Sequence, residues 1–246
     1  MRNVDTWQPT KVMPDETGEW VLNPEFVGRL SHHVGEIETH AYIGILEEHA
    51  RGDLLDLGAG TVPFYGVYGD LVDSVTTVDH QHQLTEATHI DVMADINRSL
   101  PFTGESFDTV LLADVLEHTS EPQTVLSESA RVLRVDGTVI VFVPFMYWLH
   151  EEPHDHYRYT KHGLQHIFER SGLEVIQIQP YGGGPDVLVD TTQKMLALSS
   201  HERSHKLHHI TTKRLAQTGL YKALRAHYQD RFPIGYTAIA RKPREA

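Results

Sequence analysis

"DLLDLGAGTVPF" spans residues 53–64. Three leucines among its first five residues predict a short buried strand. The strand runs into a loop with glycine at 58 and 60, where backbone can approach a ligand with no Cβ in between. Four more strands follow: "SVTTVD" (74–79), the weaker "HIDVMAD" (89–95), "FDTVLLAD" (107–114) and "TVIVFVPF" (138–145). The strongest have continuous apolar runs, as strands covered on both faces do. Between the last two, "EPQTVLSESARVLR" places Val125, Val132 and Leu133 at helical spacing. "TKHGLQHIFERSG" (160–172) reads as a helix with Thr160 as N-cap and Gly172 as its stop, and "LEVIQIQP" (173–180) as the next strand. This alternation predicts a doubly wound, Rossmann-like α/β fold, mostly parallel, with helices on both faces. Ligands in such sheets bind at the carboxyl ends of the strands.

Working outward, residues 1–50 read as an N-terminal arm and helix. The first two dozen residues are polar and broken by Pro and Gly, with order expected only near Trp20–Leu22. Residues 25–50 look helical, with Tyr42, Ile43 and Leu46 facing inward, and "SHH" (31–33) reads as solvated. Residues 51–182 and 232–246 form the core, the last strand lying in "FPIGYTAIARK" (232–242). Residues 183–231 are a helical insertion. From Ser200 to Tyr228, Arg203, Lys206, Lys213, Arg214, Lys222 and Arg225 stand against one acid, Glu202, and Leu220, Tyr221, Leu224 and Tyr228 form an apolar stripe. A packed helix with a solvated basic face, an acceptor lid and a homodimer contact are all open readings. The basic residues lead to the expectation of an anionic acceptor.

The chain has 246 residues, 40% of them hydrophobic, enough to bury a sizeable core. The absence of cysteine excludes disulfides, thiolate metal sites and a cysteine nucleophile. No apolar run reaches the ~18 residues of a transmembrane segment, and no export signal is visible, so a cytoplasmic protein is expected. A formal net charge of -13 argues against nucleic-acid binding.

Asp79 ends the second strand, where a carboxylate can accept both hydroxyls of an adenosine ribose. Asp95 ends the third and can face the adenine amino group. An NAD fingerprint needs glycine where Pro63 stands, and the G-K-[ST] of a P-loop is missing. The span "LLDLGAGTVPF … VTTVD … ADINRSLPFTGESFDTVLLADVLEH … SESARVLRVDGTVIV" resembles the class I S-adenosylmethionine-dependent methyltransferases. The loop "GAGTVPF" and the later "HEEPHDHYRYT" resemble a bacterial subgroup associated with cell-envelope polysaccharide or other glycan pathways. The chain departs from the family at Val62, usually the third loop glycine, and at Val135-Asp136, usually Pro-Gly. The resemblance implies S-adenosyl-L-methionine as cofactor and an antiparallel last strand. It also implies cofactor contacts from Asp56, Gly58, Ala59 and Gly60 around the methionine, Asp79 and His80 at the ribose, Asp95 and Ile96 at the adenine, and Asp114 near the sulfonium or amino group. The D/N-P-P-Y/F tetrapeptide of base-amino methyltransferases is absent after the fourth strand, which disfavours nucleic-acid amines as acceptors.

"HEEPHDHYRYT" (150–160) follows the last strong strand with three histidines, three acids, two tyrosines and an arginine. Three readings compete: a catalytic site, a metal site and a salt-bridged turn. In the catalytic reading His150 or His154 takes the acceptor proton, Asp155 orients a histidine and Arg158 binds an acceptor anion. In the structural reading Asp155 pairs with Arg158, and Tyr157 and Tyr159 pack under the next helix. The metal reading uses His150, His154 and His156 with Asp155, but a sulfonium needs no metal and no metal ligand is assigned. His118 of "LEH" reads as a core residue, with a pocket-facing role as the alternative. The expected function is methyl transfer to a small-molecule or sugar-containing acceptor, at oxygen rather than nitrogen. A non-catalytic adenosine-binding module and a His-rich metal-binding protein are the alternatives.

Overall fold

The computed structural model describes residues 1–27, 32–80, 88–198, 211–212 and 214–244. Its main sheet is built from β3 (Asp53–Leu57), β4 (Ser74–Asp79), β5 (Val92–Met93), β6 (Phe107–Ala113), β7 (Leu133–Pro144), β8 (Glu174–Tyr181) and β9 (Gly235–Arg241). The spatial order is β5-β4-β3-β6-β7-β9-β8. The pairs from β5 to β7 are parallel, whereas β9 runs antiparallel to both β7 and β8. This is the expected seven-stranded, Rossmann-like sheet with its last strand reversed.

Period-2 alternation explains why the strands are apolar throughout. Leu55 and Leu57 of β3 join Val110, Leu112, Val139 and Val141 on one face, covered by Val125 and Leu126 of α4 (Pro122–Val132) and Leu164 and Phe168 of α5 (Lys161–Arg170). Leu54, Leu111, Ile140 and Phe142 face the other way onto Tyr42, Ile45 and Leu46 of α2 (His32–His49) and Val67 and Tyr68 of the short α3 (Tyr65–Tyr68). Ile43, expected on that inner face, is only half-buried; Ile45 takes its place. Thr160 caps α5, accepting from the Gly163 amide at 3.0 Å, and Gly172 turns the chain at φ +77°.

The chain order reverses between β3 and β6, which pair directly. A crevice opens there at the strand ends. The N-terminal segment is not the loose arm expected. It forms a hairpin of β1 (Val12–Pro14) and β2 (Trp20–Leu22), preceding α1 (Pro24–Val27), and buries Val12 completely. Trp7 donates to the Val62 carbonyl at 3.1 Å, which ties the segment to the glycine loop. Its polar composition hid this, because the segment contributes few apolar anchors.

The insertion supplies α6 (Gly184–Leu198) and α7 (Gly219–Tyr228). Its buried Asp186 accepts from Arg225 and from Tyr221, and lies 2.9 Å from His33. His33 is therefore buried and not solvated as expected. Of the expected stripe on α7 only Tyr221 is buried; Leu220 is 71% exposed.

Candidate functional site

A cleft of about 1170 Å³ lies at the carboxyl ends of β3, β4, β5, β6 and β7. It exceeds the ~300–1,000 Å³ of ordinary ligand pockets, so two molecules can lie side by side. All nine residues expected to contact a cofactor line it: Asp56, Gly58, Ala59, Gly60, Asp79, His80, Asp95, Ile96 and Asp114.

The glycine loop leaves β3 with Gly58 at φ +71° and Gly60 at φ +55°. The Gly58 and Ala59 amides donate to the Val78 carbonyl at 2.8 and 3.1 Å. A Cβ on Gly58 would lie 2.6 Å from Val115, so only glycine lets the loop seat against β6's continuation. A Cβ on Gly60 would meet nothing within 4 Å. Asp79 takes the Gly60 amide at 2.6 Å and the His80 amide at 2.5 Å. Asp95 accepts from the Asn97 amide at 3.0 Å and from Arg98, bonds that outweigh partial burial and keep its carboxyl below the usual range.

Asp56 is buried and accepts from the Tyr68 hydroxyl at 2.7 Å. Burial pushes its carboxyl up to about 7, against the Tyr68 bond and with the Asp79 charge. Asp114, at φ +55°, accepts from the Tyr42 hydroxyl at 2.6 Å and from Lys11 at 3.0 Å. Lys11 also binds Glu38. Burial and the Asp114 charge push Glu38 up to about 8, so it is protonated beside an ionised Asp114 at neutral pH. Lys11, Glu38, Tyr42 and Tyr181 escaped the sequence reading as site residues. They come from the N-terminal segment, α2 and β8, and none sits in a recognisable local pattern.

The stretch after β7 closes the other end. Arg158 grips both oxygens of Asp155 and the Trp148 carbonyl, the last at 2.7 Å. This pairing holds Asp155 far below the usual carboxylate range. The salt-bridged turn thus exists, and the Arg158 guanidinium is committed to it. Asp155 also accepts the His150 amide at 2.9 Å and lies 3.3 Å from His150 Nδ1. His150 is half-buried and lines the cleft; burial and the adjacent His118 lower its pKa. His154 and His156 are exposed at the rim, and Tyr159 is buried while Tyr157 is not. His118 is not a core residue; it lines the cleft against His150, ring centroids 4.7 Å apart. Glu117 beside it is fully buried and has no hydrogen-bond partner for either carboxylate oxygen.

Of the six cations expected to hold an anionic acceptor, Arg203, Lys206 and Lys213 lie outside the described residues. Arg225 is bound to Asp186, and neither it, Arg214 nor Lys222 lines the cleft. Among the described residues no helix is long and apolar enough to cross a membrane.

Sheet order, reversed last strand and a glycine loop facing two strand-end aspartates define the class I methyltransferase fold. Residues 55–141 match the family model described as a methyltransferase domain. A phosphatidylethanolamine N-methyltransferase of Cereibacter sphaeroides is 31% identical over 105 residues, 38% of this chain and 51% of that protein. The chain spans about half the length of the curated relatives it matches. Among solved structures, a SAM-dependent methyltransferase from Archaeoglobus fulgidus superposes with a TM-score of 0.52 at 16% identity, covering 89% of this chain and 97% of that one. The cyclase SpnF superposes at 0.54 with 18% identity, covering 85% and 82%. These two show the fold alone, and SpnF illustrates that one fold hosts different reactions. The chain carries a methyltransferase domain, and the cofactor of that domain is S-adenosylmethionine.

Proposed function

We propose that this chain transfers a methyl group from S-adenosylmethionine to a hydroxyl oxygen of a small, uncharged acceptor such as a sugar unit. The residues present fit the cofactor. Asp79 would hold the ribose hydroxyls, Asp95 and Ile96 the adenine, and Asp56 with the Gly58–Ala59–Gly60 backbone the methionine moiety. Asp114 would face the positive charge, with His80 beside the ribose. The bound cofactor supplies an electrophilic methyl group. The protein's part is to align the acceptor with it, exclude water and receive a proton.

One observation carries the oxygen assignment. His150 lines the cleft beyond β7 with a lowered pKa, so its ring is neutral and can accept the hydroxyl proton at neutral pH. Asp155 and the Arg158 pair hold that ring in place. An uncharged acceptor is favoured because Glu117, Glu151 and Glu152 line this end, and no arginine lines the cleft among the described residues. The resemblance of "HEEPHDHYRYT" to glycan-pathway enzymes supports a sugar-bearing acceptor. The name of the Cereibacter relative favours a second reading, methylation of an amine head group, which the same acidic end would also tolerate.

The test is methyl transfer from isotope-labelled S-adenosylmethionine to matched acceptors, preceded by calorimetry with S-adenosylhomocysteine and NAD. The expected result is binding of S-adenosylhomocysteine, none of NAD, and label on uncharged hydroxyl acceptors. Label only on phosphoethanolamine-type amines selects the second reading; no binding of S-adenosylhomocysteine refutes both.

A further inference from the structure

We propose that Glu117, His118 and His150 form a binding site for one divalent first-row transition-metal ion at the acceptor end of the cleft. This goes beyond methyl transfer and does not depend on it; it is a second use of His150 Nε2, which cannot take an acceptor's proton while it binds an ion. It also differs from the set the sequence suggested, because His154 and His156 are exposed.

The first observation is the buried carboxylate. Glu117 is 0% exposed, lines the cleft and lacks a hydrogen bond at both Oε1 and Oε2. An unpartnered buried carboxylate is costly, so a proton or a cation must answer it. Two ring nitrogens face Oε1: His118 Nε2 at 3.8 Å and His150 Nε2 at 4.0 Å. A proton on Glu117 could be donated to only one of the two ring nitrogens, whereas one ion engages the carboxylate and both nitrogens at once. Donors bonded to one zinc at ~2.1 Å stand about 3.4 Å apart in a tetrahedron. The three donor atoms already lie within 4.8 Å of one another, so small side-chain rotations close the set.

The second observation is how the two imidazoles are held. His118 Nδ1 donates to the His154 carbonyl at 3.1 Å, which leaves the Nε2 lone pair free. His150 Nδ1 faces Asp155 Oδ2 and the Trp148 carbonyl, each at 3.3 Å. Arg158 also approaches this nitrogen at 3.3 Å, but has nearer acceptors in Asp155 and Trp148. Nδ1 of His150 therefore carries the proton, and its Nε2 also presents a lone pair. Carbonyl- and carboxylate-anchored imidazoles aimed at one point are the outer support usual around metal-bound histidines. Without an ion, two lone pairs and a carboxylate face one another. Two imidazoles and one carboxylate suit zinc, cobalt or iron better than magnesium or calcium, which prefer oxygen. The Glu151 carboxylate, 3.9 Å from His118 Nε2 and exposed, offers a further oxygen. An ion there would lower the pKa of an oxygen bound to it.

The test uses untagged full-length protein, stripped with a chelator, incubated with Zn2+ or Co2+ and desalted. Bound metal is measured by mass spectrometry and the cobalt environment by visible absorption. Wild type should retain about one equivalent more than Glu117→Gln or His150→Ala, and only wild type should show intense cobalt bands. His154→Ala should retain metal as wild type does, since its ring is outside the set. His118→Ala gives an independent reading should Glu117→Gln not fold. No retention by wild type, or retention equal to wild type in any variant of the three ligands, overturns the site.

Discussion

Replacing Asp56 by asparagine should change the pH dependence of stability in a defined direction. Asp56 is 4% exposed at the end of β3 and is raised to about 7 by burial. In the unfolded chain an aspartate titrates near ~3.9. Below that value both states are protonated and the advantage of the folded state is complete. Between ~4 and ~7 only the unfolded state ionises, so this residue's contribution falls as pH rises. At ~1.36 kcal/mol per pK unit the full loss is about 4 kcal/mol, of which about 2 kcal/mol falls between about pH 5.5 and 8. The substituted carboxamide cannot ionise, yet its carbonyl can still accept the Tyr68 hydroxyl now bound to Asp56 at 2.7 Å. Urea denaturation of both proteins across that range isolates the residue, because the histidines and Glu38 are common to both. The stability of Asp56→Asn relative to wild type should rise by about 2 kcal/mol from about pH 5.5 to 8. The same residue lines the cleft, so a cationic ligand should pull its proton off. Wild-type affinity for S-adenosylmethionine should therefore climb more steeply with pH through about 7 than that of the variant, in which only Glu38 of the two raised carboxyls still titrates. A pH-independent stability difference would refute the burial argument.

Asp79→Ala should weaken S-adenosylhomocysteine by about 1–3 kcal/mol in calorimetry, since ribose hydroxyls lose their acceptor; it also frees the Gly60 amide now held at 2.6 Å. Unchanged affinity would remove Asp79 from the cofactor site. His150→Ala should lower turnover on a hydroxyl acceptor by about 10²–10⁴ with cofactor affinity nearly intact, whereas His154→Ala, whose ring is exposed, should cost no more than a few-fold. Full turnover in His150→Ala would end its role as base. Lys11→Met should destabilise the fold by about 2 kcal/mol, because Asp114 keeps a charge without its cation at 3.0 Å; equal denaturation midpoints would contradict this.

Much of the core was legible locally. Leu54 to Leu57 and Val139 to Val143 are buried on both faces, and burial on both faces requires continuous apolar runs. Gly58, Asp79 and Asp95 were legible for a related reason: strand ends of one sheet share one edge, so positions far apart in the chain converge once the strands are assigned. The stretch 150–160 was ambiguous because its composition permits a turn, a base and a metal site at once. Packing divides it: Arg158 goes to Asp155, Tyr159 into the core, His154 and His156 to the exposed rim, and His150 into the cleft. Glu117 was read only as part of "LEH"; that it is buried without a partner depends on what surrounds it. Lys11 illustrates the same boundary. Nothing in a polar N-terminal stretch announces an ion pair with residues 27 and 103 positions away. The sequence by itself determined the periodicities, and through them the strands, the sheet and the edge where ligands bind. Tertiary structure alone decided which charged side chains meet, because burial and electrostatic pairing act through space between segments whose local patterns carry no record of one another.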